Sequence, residues 1–219
     1  MRIILLGPPG AGKGTQSKTL AARLTLPHIS TGDLLRQNVA NATVLGKEAK
    51  GYMEQGALVP DALVNKMLAE RFTQKDVRSG FILDGYPRTL MQAEALDELL
   101  TTLKLSIDIV MYLDTSEPVI VQRLTGRRVC KNCGANFHVT NMPPKKDMVC
   151  DHCQGPLYQR TDDNEATIRN RLAVYEKEVA SLIAFYKKQN KLIRIAADDE
   201  AEVVMQRMIA SLKHDSLKV

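Results

Sequence analysis

Apolar runs and helical stripes alternate along this chain. The run Arg2–Leu6 predicts a short buried strand, and the pattern from Thr15 to Leu24 predicts a helix after a glycine-rich turn. Apolar runs at 81–88, 107–114 and 191–197 predict further central strands of a parallel sheet. Strands that alternate with helices are typical of a doubly wound α/β sheet flanked by helices, in which ligands bind beyond the carboxyl ends of the strands.

Two stretches interrupt this alternation. Residues 30–59 are helical in pattern but rich in glycine and polar residues, which predicts a small helical insertion. Residues 126–163 hold all four cysteines and have no helical period, which predicts a second insertion with its own stabilising device. The remaining segments, 1–29, 60–125 and 164–219, are predicted to form one core domain.

Composition narrows the class of protein. A chain of 219 residues that is 44% hydrophobic can bury a full core, and a net charge of +5 suits a protein that handles anions without forming a nucleic-acid tail. Only four apolar residues, Ile3 to Leu6, precede Gly-Pro-Pro, too few for a signal sequence, and no segment approaches membrane-spanning length. We therefore expect a cytoplasmic protein with no membrane or nucleic-acid partner and a core large enough for a monomer.

The stretch GPPGAGKGT at residues 7–15 predicts a phosphate-binding loop. Its glycines allow backbone N–H groups to converge on a phosphate, Lys13 adds a positive charge, and the following helix directs its positive end inward. A plain tight turn is the weaker alternative, because a strand precedes the loop and a helix follows it. The usual motif carries a hydroxyl after the lysine, but Gly14 stands there, so we expect Thr15 to offer its hydroxyl to a β-phosphate or a metal-bound water.

Magnesium then needs a ligand from elsewhere in the chain. Asp84 ends an apolar strand, as the acidic partner of a phosphate loop does, and is predicted to reach magnesium through water. Asp33 is a second candidate, and it is also predicted to cap a helix that begins at Leu34.

The cysteines form two C-x-x-C pairs with sixteen residues between them, a spacing typical of a zinc site. They are Cys130, Cys133, Cys150 and Cys153. Zinc with four thiolates has no open coordination position, so the predicted site is structural. Four reduced, buried cysteines are the alternative.

Five stretches together resemble the adenylate kinase family in its long-lid form, over nearly the whole chain. They are GPPGAGKGTQ (7–16), ISTGDLLR (29–36), DGYPRT (84–89) with Gln92, RLTGRR (123–128) and QRTDDNEATIRNRL (159–172). In that family glycine follows the lysine, so Gly14 is the expected residue. The resemblance implies the reversible reaction ATP + AMP = 2 ADP on a magnesium-bound nucleotide. It also implies that the second insertion is a lid that closes over ATP.

The resemblance further implies the roles of individual residues, because phosphoryl transfer depends on positioning and on positive charge around crowded phosphates. The implied ATP-binding residues are Gly10, Ala11, Gly12, Lys13, Gly14, Thr15, Arg123, Arg127, Asn136, Phe137 and Asp199. The implied AMP-binding residues are Thr31, Arg36, Ala57, Leu58, Val59, Gly85, Tyr86, Pro87, Arg88, Gln92, Arg160 and Arg171. The implied catalytic residues are Lys13, Asp84, Arg88, Arg123, Arg160 and Arg171. Among these, Arg123, Arg127, Arg160 and Arg171 are expected to gather over the transferred group.

Two further expectations follow from the resemblance. Asp162 and Asp163 match the returning edge of the lid, where they are expected to position other groups, and Asp163 is also predicted to cap the helix that begins near Asn164. The family usually has a glycine where this chain has Ala197, so we expect a looser preference for the base of the triphosphate.

Three other functions fit part of the sequence. A kinase for UMP or CMP shares the loop and the DGYPR motif, but the long zinc-type lid argues against it. A GTP-dependent switch requires an N-K-x-D motif, and in the N-K segment at residues 65–68 Leu68 stands where the aspartate should be. A zinc-ribbon nucleic-acid binder would leave the phosphate loop and the arginines without a role.

Overall fold

A computed structural model describes residues 1–215 of the protein, so the end of the predicted core domain, 216–219, lies outside the described residues. The strands are β1 (Arg2–Leu6), β2 (His28–Ser30), β3 (Phe81–Asp84), β4 (Ile109–Asp114), β5 (Arg127–Cys130), β6 (Asn136–His138), β7 (Leu157–Tyr158) and β8 (Leu192–Ala196). The α-helices are α1 (Lys13–Leu24), α2 (Thr31–Ala40), α3 (Val44–Glu54), α4 (Asp61–Phe72), α5 (Leu90–Thr102), α6 (Glu117–Thr125), α7 (Glu165–Lys188) and α8 (Ala201–Asp215). Short 3₁₀ turns span Lys75–Arg78 and Thr161–Asp163.

A five-stranded parallel sheet forms the centre of the molecule, in the order β2-β3-β1-β4-β8. The doubly wound α/β fold and the strands β1, β3, β4 and β8 are therefore confirmed, whereas the three-residue strand β2 was not predicted. Strand β1 shows why both faces are covered. Ile4 and Leu6 belong to a core on one side, and Ile3 and Leu5 belong to a second core on the other.

The segment that was predicted as a helical insertion contains α2 and α3, which pack against each other. Gly46 of α3 lies so close to α2 that a Cβ atom at this position would overlap the backbone carbonyl of Asn38. The side chain of Ser30 accepts a hydrogen bond from the N–H of Asp33 and caps α2, which begins at Thr31. The prediction that Asp33 caps a helix starting at Leu34 is therefore wrong, because the helix begins three residues earlier.

The cysteine-containing segment forms a three-stranded antiparallel sheet in the order β6-β5-β7. Its small core consists of Cys130, Phe137, Cys150 and Leu157. So little apolar material cannot stabilise such a module alone, which agrees with the expectation of an additional stabilising device.

Helix α7 follows this module and returns the chain to the central sheet. Ile168, Leu172, Leu182 and Tyr186 on its apolar stripe are buried, as the pattern predicted. The side chain of Asn164 accepts from the N–H of Thr167 and caps the helix. The prediction that Asp163 provides this cap is wrong, because Asn164 occupies the capping position and Asp163 is engaged elsewhere. No helix within residues 1–215 is long and apolar enough to cross a membrane.

Candidate active site

A cavity of about 1530 Å³ lies at the carboxyl ends of the parallel strands, where a doubly wound sheet binds its ligands. Pockets for one drug-sized ligand span roughly 300–1,000 Å³, so this cavity has room for more than one such ligand. The phosphate loop, the α2–α3 segment, the cysteine module and the start of α7 all contribute to its lining.

The phosphate loop, residues 7–15, connects β1 to α1. Gly10 and Gly12 have φ values of 85° and 88°, which residues with a side chain rarely adopt, and Gly12 directly precedes the first residue of α1. The ammonium group of Lys13 donates to the carbonyls of Gly7 and Pro8 at 2.7 and 2.8 Å. Burial lowers the pKa of Lys13 to about 7, with Asp84 acting against the shift and Arg88 adding to it. The loop thus holds a readily titrated cation at the N-terminus of α1.

Asp84 lies beside the loop at the end of β3 and is only 7% exposed. Its Oδ2 atom would be 3.5 Å from a Cβ atom placed on Gly14, and the hydroxyl of Ser17 donates to the same oxygen at 3.4 Å. The carboxylate therefore lies close to the position at which the usual motif has a metal-binding hydroxyl. Asp33 also lines the cavity, but it is ion-paired with Arg36.

Six of the positively charged side chains that line this cavity come from separate parts of the chain, and we call these six the cationic cluster. Its members are Lys13, Arg36, Arg88, Arg127, Arg160 and Arg171. Burial lowers the pKa of Arg88, and its neighbours Arg36 and Arg160 lower it further. Burial and nearby arginines likewise lower the pKa of Arg171 to about 10. Such mutual repulsion makes the cluster a strong site for anions.

Two neighbouring carboxylates hold most of these arginines in place. Asp162 accepts from Arg160 at 2.8 and 2.5 Å and from Arg171 at 3.0 Å. Asp163, which is 1% exposed, accepts from Arg127 at 2.7 and 2.5 Å. Burial by itself would raise the pKa of Asp162, but Arg160 and Arg171 outweigh this effect and bring it to about 2. The carboxylates thus orient the guanidinium groups without cancelling the whole charge of the cluster.

Arg123 lies apart from the cationic cluster, although it lines the same cavity. Its guanidinium group donates to the carbonyls of Ala197, Asp198 and Asp199, at 2.8, 3.0 and 2.7 Å. The expectation that Arg123 gathers with the other arginines over the transferred group is not supported, because it donates to these three carbonyls after β8 and not to the carboxylates that hold Arg127, Arg160 and Arg171.

A second set of predicted residues lines the side of the cavity next to α2. They are Thr31, Ala57, Leu58, Val59, Gly85, Pro87 and Gln92. The hydroxyl of Thr31 and the Nε atom of Arg88 both donate to the carbonyl of Gly85, each at 2.9 Å. Tyr86 does not line the cavity, contrary to its predicted binding role. It is 1% exposed and donates to Asn65 Oδ1 at 2.6 Å and to the carbonyl of Gln92 at 3.0 Å.

Gln92 is held by partners on both sides of its amide. Its Oε1 atom accepts from the N–H of Arg88 at 2.8 Å, and its Nε2 atom donates to Asp61 Oδ1 at 2.6 Å. Asp61 was not predicted from the sequence, because the residue lies in no recognised motif and 31 positions away from Gln92. Lys18 of α1 was not predicted either, and its ammonium group donates to the carbonyl of Gly134 in the cysteine module at 3.1 Å.

The remaining residues expected at ATP, Gly10, Ala11, Thr15, Asn136, Phe137 and Asp199, also line the cavity. Asn136 and Phe137 extend from β6 of the cysteine module, so this module forms one wall of the cavity. Asp199 contributes its carbonyl to Arg123, while its carboxylate pairs with Arg207 at 2.6 Å.

The four cysteines come together in the second insertion, with all their sulfur atoms within 4.8 Å of one another. Cys130 and Cys153 are 3.4 Å apart, and Cys133 and Cys150 are 3.6 Å apart. These separations exceed a disulfide bond and fit a tetrahedron whose sulfur atoms each lie about 2.3 Å from zinc. Desolvation raises the pKa of the Cys130 thiol, but the N–H groups of Cys133 and Asn132 outweigh it and bring that pKa to about 6. The donor set therefore fits zinc.

A glycine-rich loop between strand and helix, followed by two inserted modules that bring arginines into one cavity, defines a phosphotransferase of the nucleoside monophosphate kinase class. The family model for adenylate kinase matches residues 5–191. The chain is 49% identical over 212 residues to an adenylate kinase of Caldicellulosiruptor bescii, covering 97% of this chain and 99% of that protein. It is 51% identical over 216 residues to an adenylate kinase of Streptomyces coelicolor, covering 98% and 100%. The chain therefore belongs to the adenylate kinase family, and the resemblance found in the sequence is confirmed.

Proposed function

We propose that this protein catalyses the reversible reaction ATP + AMP = 2 ADP in a single cavity. The observation that carries the proposal is the cationic cluster, whose members come from the phosphate loop, the α2–α3 segment, the end of β3, the cysteine module and α7. Two polyphosphates that face each other repel strongly, and only dense positive charge makes their approach favourable. A cavity of about 1530 Å³ accommodates both nucleotides at once.

The donor ATP binds with its phosphates in the phosphate loop. Backbone N–H groups at the start of α1 and the ammonium group of Lys13 contact the β- and γ-phosphates, and Thr15 offers its hydroxyl there. Lys13 exchanges its two carbonyl partners for phosphate oxygens, which favour its protonated form. Arg123 and the carbonyl of Asp199 lie at the adenine end of ATP.

The acceptor AMP binds on the α2 side of the cavity. Arg36 and Arg88 hold its phosphate, and Arg88 forms a forked pair with two oxygens. Thr31, the backbone at 57–59 and Gln92 contact its adenosine part. In this arrangement an oxygen of the AMP phosphate faces the γ-phosphate of ATP. Arg127, Arg160 and Arg171 lie around the reacting groups.

Magnesium bound with ATP would neutralise the negative charge that develops on the phosphates during transfer. Asp84 would hold it through water, since its carboxylate lies beside Gly14 at the end of β3. Asp33, which also lines the cavity, is the second residue that would contact its water shell. The attacking group is an ionised phosphate oxygen, so the transfer needs no side chain to remove a proton from it.

The cysteine module, residues 126–163, acts as a lid over ATP and forms a unit distinct from the core and from the 30–59 insertion. Zinc held by the four cysteines would stabilise it, a contribution on the order of 10 kcal/mol in small metal-folded modules. The hydrogen bond from Lys18 to Gly134 supports closure onto the core. Closure brings Arg127 into the site and excludes water that would otherwise hydrolyse ATP. We propose that the enzyme works as a cytoplasmic monomer.

A coupled assay that compares AMP, CMP, UMP and GMP as acceptors for ATP tests this proposal. We expect AMP to be preferred by at least about a hundredfold in kcat/KM, because a pocket built to hydrogen-bond one base rejects others strongly. Lys13→Ala should lose turnover by about 10²-fold or more while its circular dichroism spectrum stays unchanged. Equal rates for the four acceptors would refute the assignment to AMP, and a normal rate for Lys13→Ala would refute the role of the phosphate loop.

A further inference from the structure

Asp61 holds the amide of Gln92 from outside the cavity. It is the first residue of α4, half-buried, and does not itself line the cavity, whereas Gln92 does. We infer that Asp61 is a positioning residue that fixes which end of the Gln92 amide faces which partner, and thereby makes the acceptor site select a 6-aminopurine over a 6-oxopurine. The inference rests on the proposed function, in which Gln92 contacts the base of AMP.

The two partners of Gln92 permit only one orientation of its amide. The N–H of Arg88 can only donate, and it meets Oε1 at 2.8 Å. The carboxylate of Asp61 can only accept, and it meets Nε2 at 2.6 Å. A flipped amide would set N–H against N–H on one side and oxygen against carboxylate on the other. Because Gln92 is only 2% exposed, water cannot relieve either mismatch, and the flipped orientation is excluded.

The fixed amide keeps one N–H and one oxygen lone pair free for a ligand in the cavity. Adenine matches this pair, since its N1 atom accepts and its 6-amino group donates. Hypoxanthine presents the reverse pattern, with a 6-oxo group that accepts and an N1–H that donates, and it would require the flipped amide. The orientation of one side chain therefore decides between AMP and inosine monophosphate.

Both carboxylate oxygen atoms of Asp61 accept hydrogen bonds. Its Oδ2 atom accepts from the hydroxyl of Thr89 at 2.8 Å, and that hydroxyl accepts from the N–H of Gln92 at 3.1 Å. The carboxylate is thus fixed from the same turn that carries Gln92. An asparagine at position 61 keeps the shape but can turn its amide N–H₂ toward Gln92, which removes one of the two constraints on the glutamine.

The experiment measures kcat and KM for AMP and for inosine monophosphate with saturating ATP, in the wild type and in Asp61→Asn. We expect the ratio of kcat/KM for AMP to that for inosine monophosphate to fall by about tenfold or more. The change should lie in KM for the monophosphates, with kcat for AMP and KM for ATP within about twofold of the wild type, because the phosphate contacts are intact. Asp61→Ala, a second variant, should lower the ratio as well.

Asn65→Ala is the matched control, because Asn65 lies on the same helix and binds the Tyr86 hydroxyl without touching the Gln92 side chain. It tests whether loosening α4 is enough to change the ratio, and we expect the ratio to stay at the wild-type value. A fall in Asn65→Ala equal to that in Asp61→Asn would overturn the inference in favour of a general structural effect.

Gln92→Leu separates this inference from the proposed function. If Gln92→Leu lowers the ratio and folded Asp61→Asn and Asp61→Ala do not, Asp61 does not position Gln92 and the inference alone fails. If Gln92→Leu leaves the ratio unchanged, Gln92 does not contact the base, and both the inference and this part of the proposed function fail. Absence of transfer to AMP in the wild type would overturn the proposed function itself.

Discussion

At the scale of single residues, buried charged side chains govern the behaviour of the site. The ammonium group of Lys13 donates to two backbone carbonyls, and Asp162 and Asp163 pair with arginines that are proposed to bind phosphates. Burial lowers the pKa of a lysine, and a bound anion raises it again. Such a lysine should therefore gain a proton when the anion binds.

Lys13 provides the clearest case of such a change. Its pKa of about 7 means that it is mostly neutral at pH 8 in the free protein, and a bound phosphate should raise this pKa. We expect ADP binding at pH 8 to take up protons at the phosphate loop, and affinity to fall as pH rises through the range between the free and bound pKa values. Calorimetry in two buffers that differ in ionisation enthalpy measures this uptake.

Lys13→Arg is the control for this titration, because arginine keeps its charge throughout the same pH range. We expect its uptake to be near zero at pH 8. Absence of proton uptake in the wild type would show that burial does not neutralise Lys13 and that the lysine is already charged in the free protein.

Two helix-capping predictions from the sequence were wrong because a nearby residue can cap the same helix equally well. Asp33 and Asp163 were expected to cap helices, but Ser30 and Asn164, which are equally good capping residues, hold these positions. The two aspartates instead pair with Arg36 and Arg127. Asp163 and Arg127 are 36 positions apart, so their ion pair leaves no local signal in the sequence, whereas Asp33 and Arg36 are only three positions apart.

At the scale of elements, the α2–α3 pair depends on close contact between helices. In Gly46→Ala the new methyl group would meet backbone atoms of Asn38 and Val39, which cannot rotate away. We expect the free energy of unfolding to fall by about 1–3 kcal/mol, as for overpacked cores. Displacement of this segment should also raise KM for AMP and leave KM for ATP unchanged. Urea unfolding and steady-state kinetics measure the two effects.

Gly51→Ala is the matched control on the same helix, since a Cβ atom there would have nothing within 4 Å. Alanine favours a helix over glycine, so this variant should be more stable by up to about 1 kcal/mol. Equal losses of stability in both variants would mean that the packing of α2 on α3 does not limit this segment.

The cysteine module, residues 126–163, is the element whose fold is proposed to depend on a metal. Cys150→Ser removes one of the four sulfur atoms and places a hydroxyl in a small apolar core. We expect the zinc content of freshly purified, reduced protein to fall from about one atom per chain to well below half of that, with faster proteolysis within 126–163. Elemental analysis and limited proteolysis provide the measurements.

His152→Gln tests whether a histidine takes part in the same site. His152 lies 5.9 Å from the Phe137 ring and is not among the four clustered donors, so this variant should keep its zinc. Loss of zinc from His152→Gln, or a wild type purified without zinc, would contradict a site made of four thiolates.

At the scale of the whole molecule, the sequence was most informative where a motif is continuous. The strands around β1, the phosphate loop and the paired cysteines each show a local pattern, and the α/β fold follows from them. The three-residue strand β2 is too short for any such pattern. Arg123 and Asp61 depend on partners 74 and 31 positions away, respectively, so only the folded chain reveals what they contact.

We propose that the cavity lined by the cationic cluster holds two nucleotides at once, and the proposed function depends on this. Since both products are ADP, calorimetric titration of the wild type with ADP in the presence of a magnesium chelator, which prevents turnover, measures this directly. We predict two ADP molecules per chain, with AMP displacing one and ATP displacing the other. A stoichiometry of one ADP per chain, or displacement of the same ADP by both AMP and ATP, would contradict this claim.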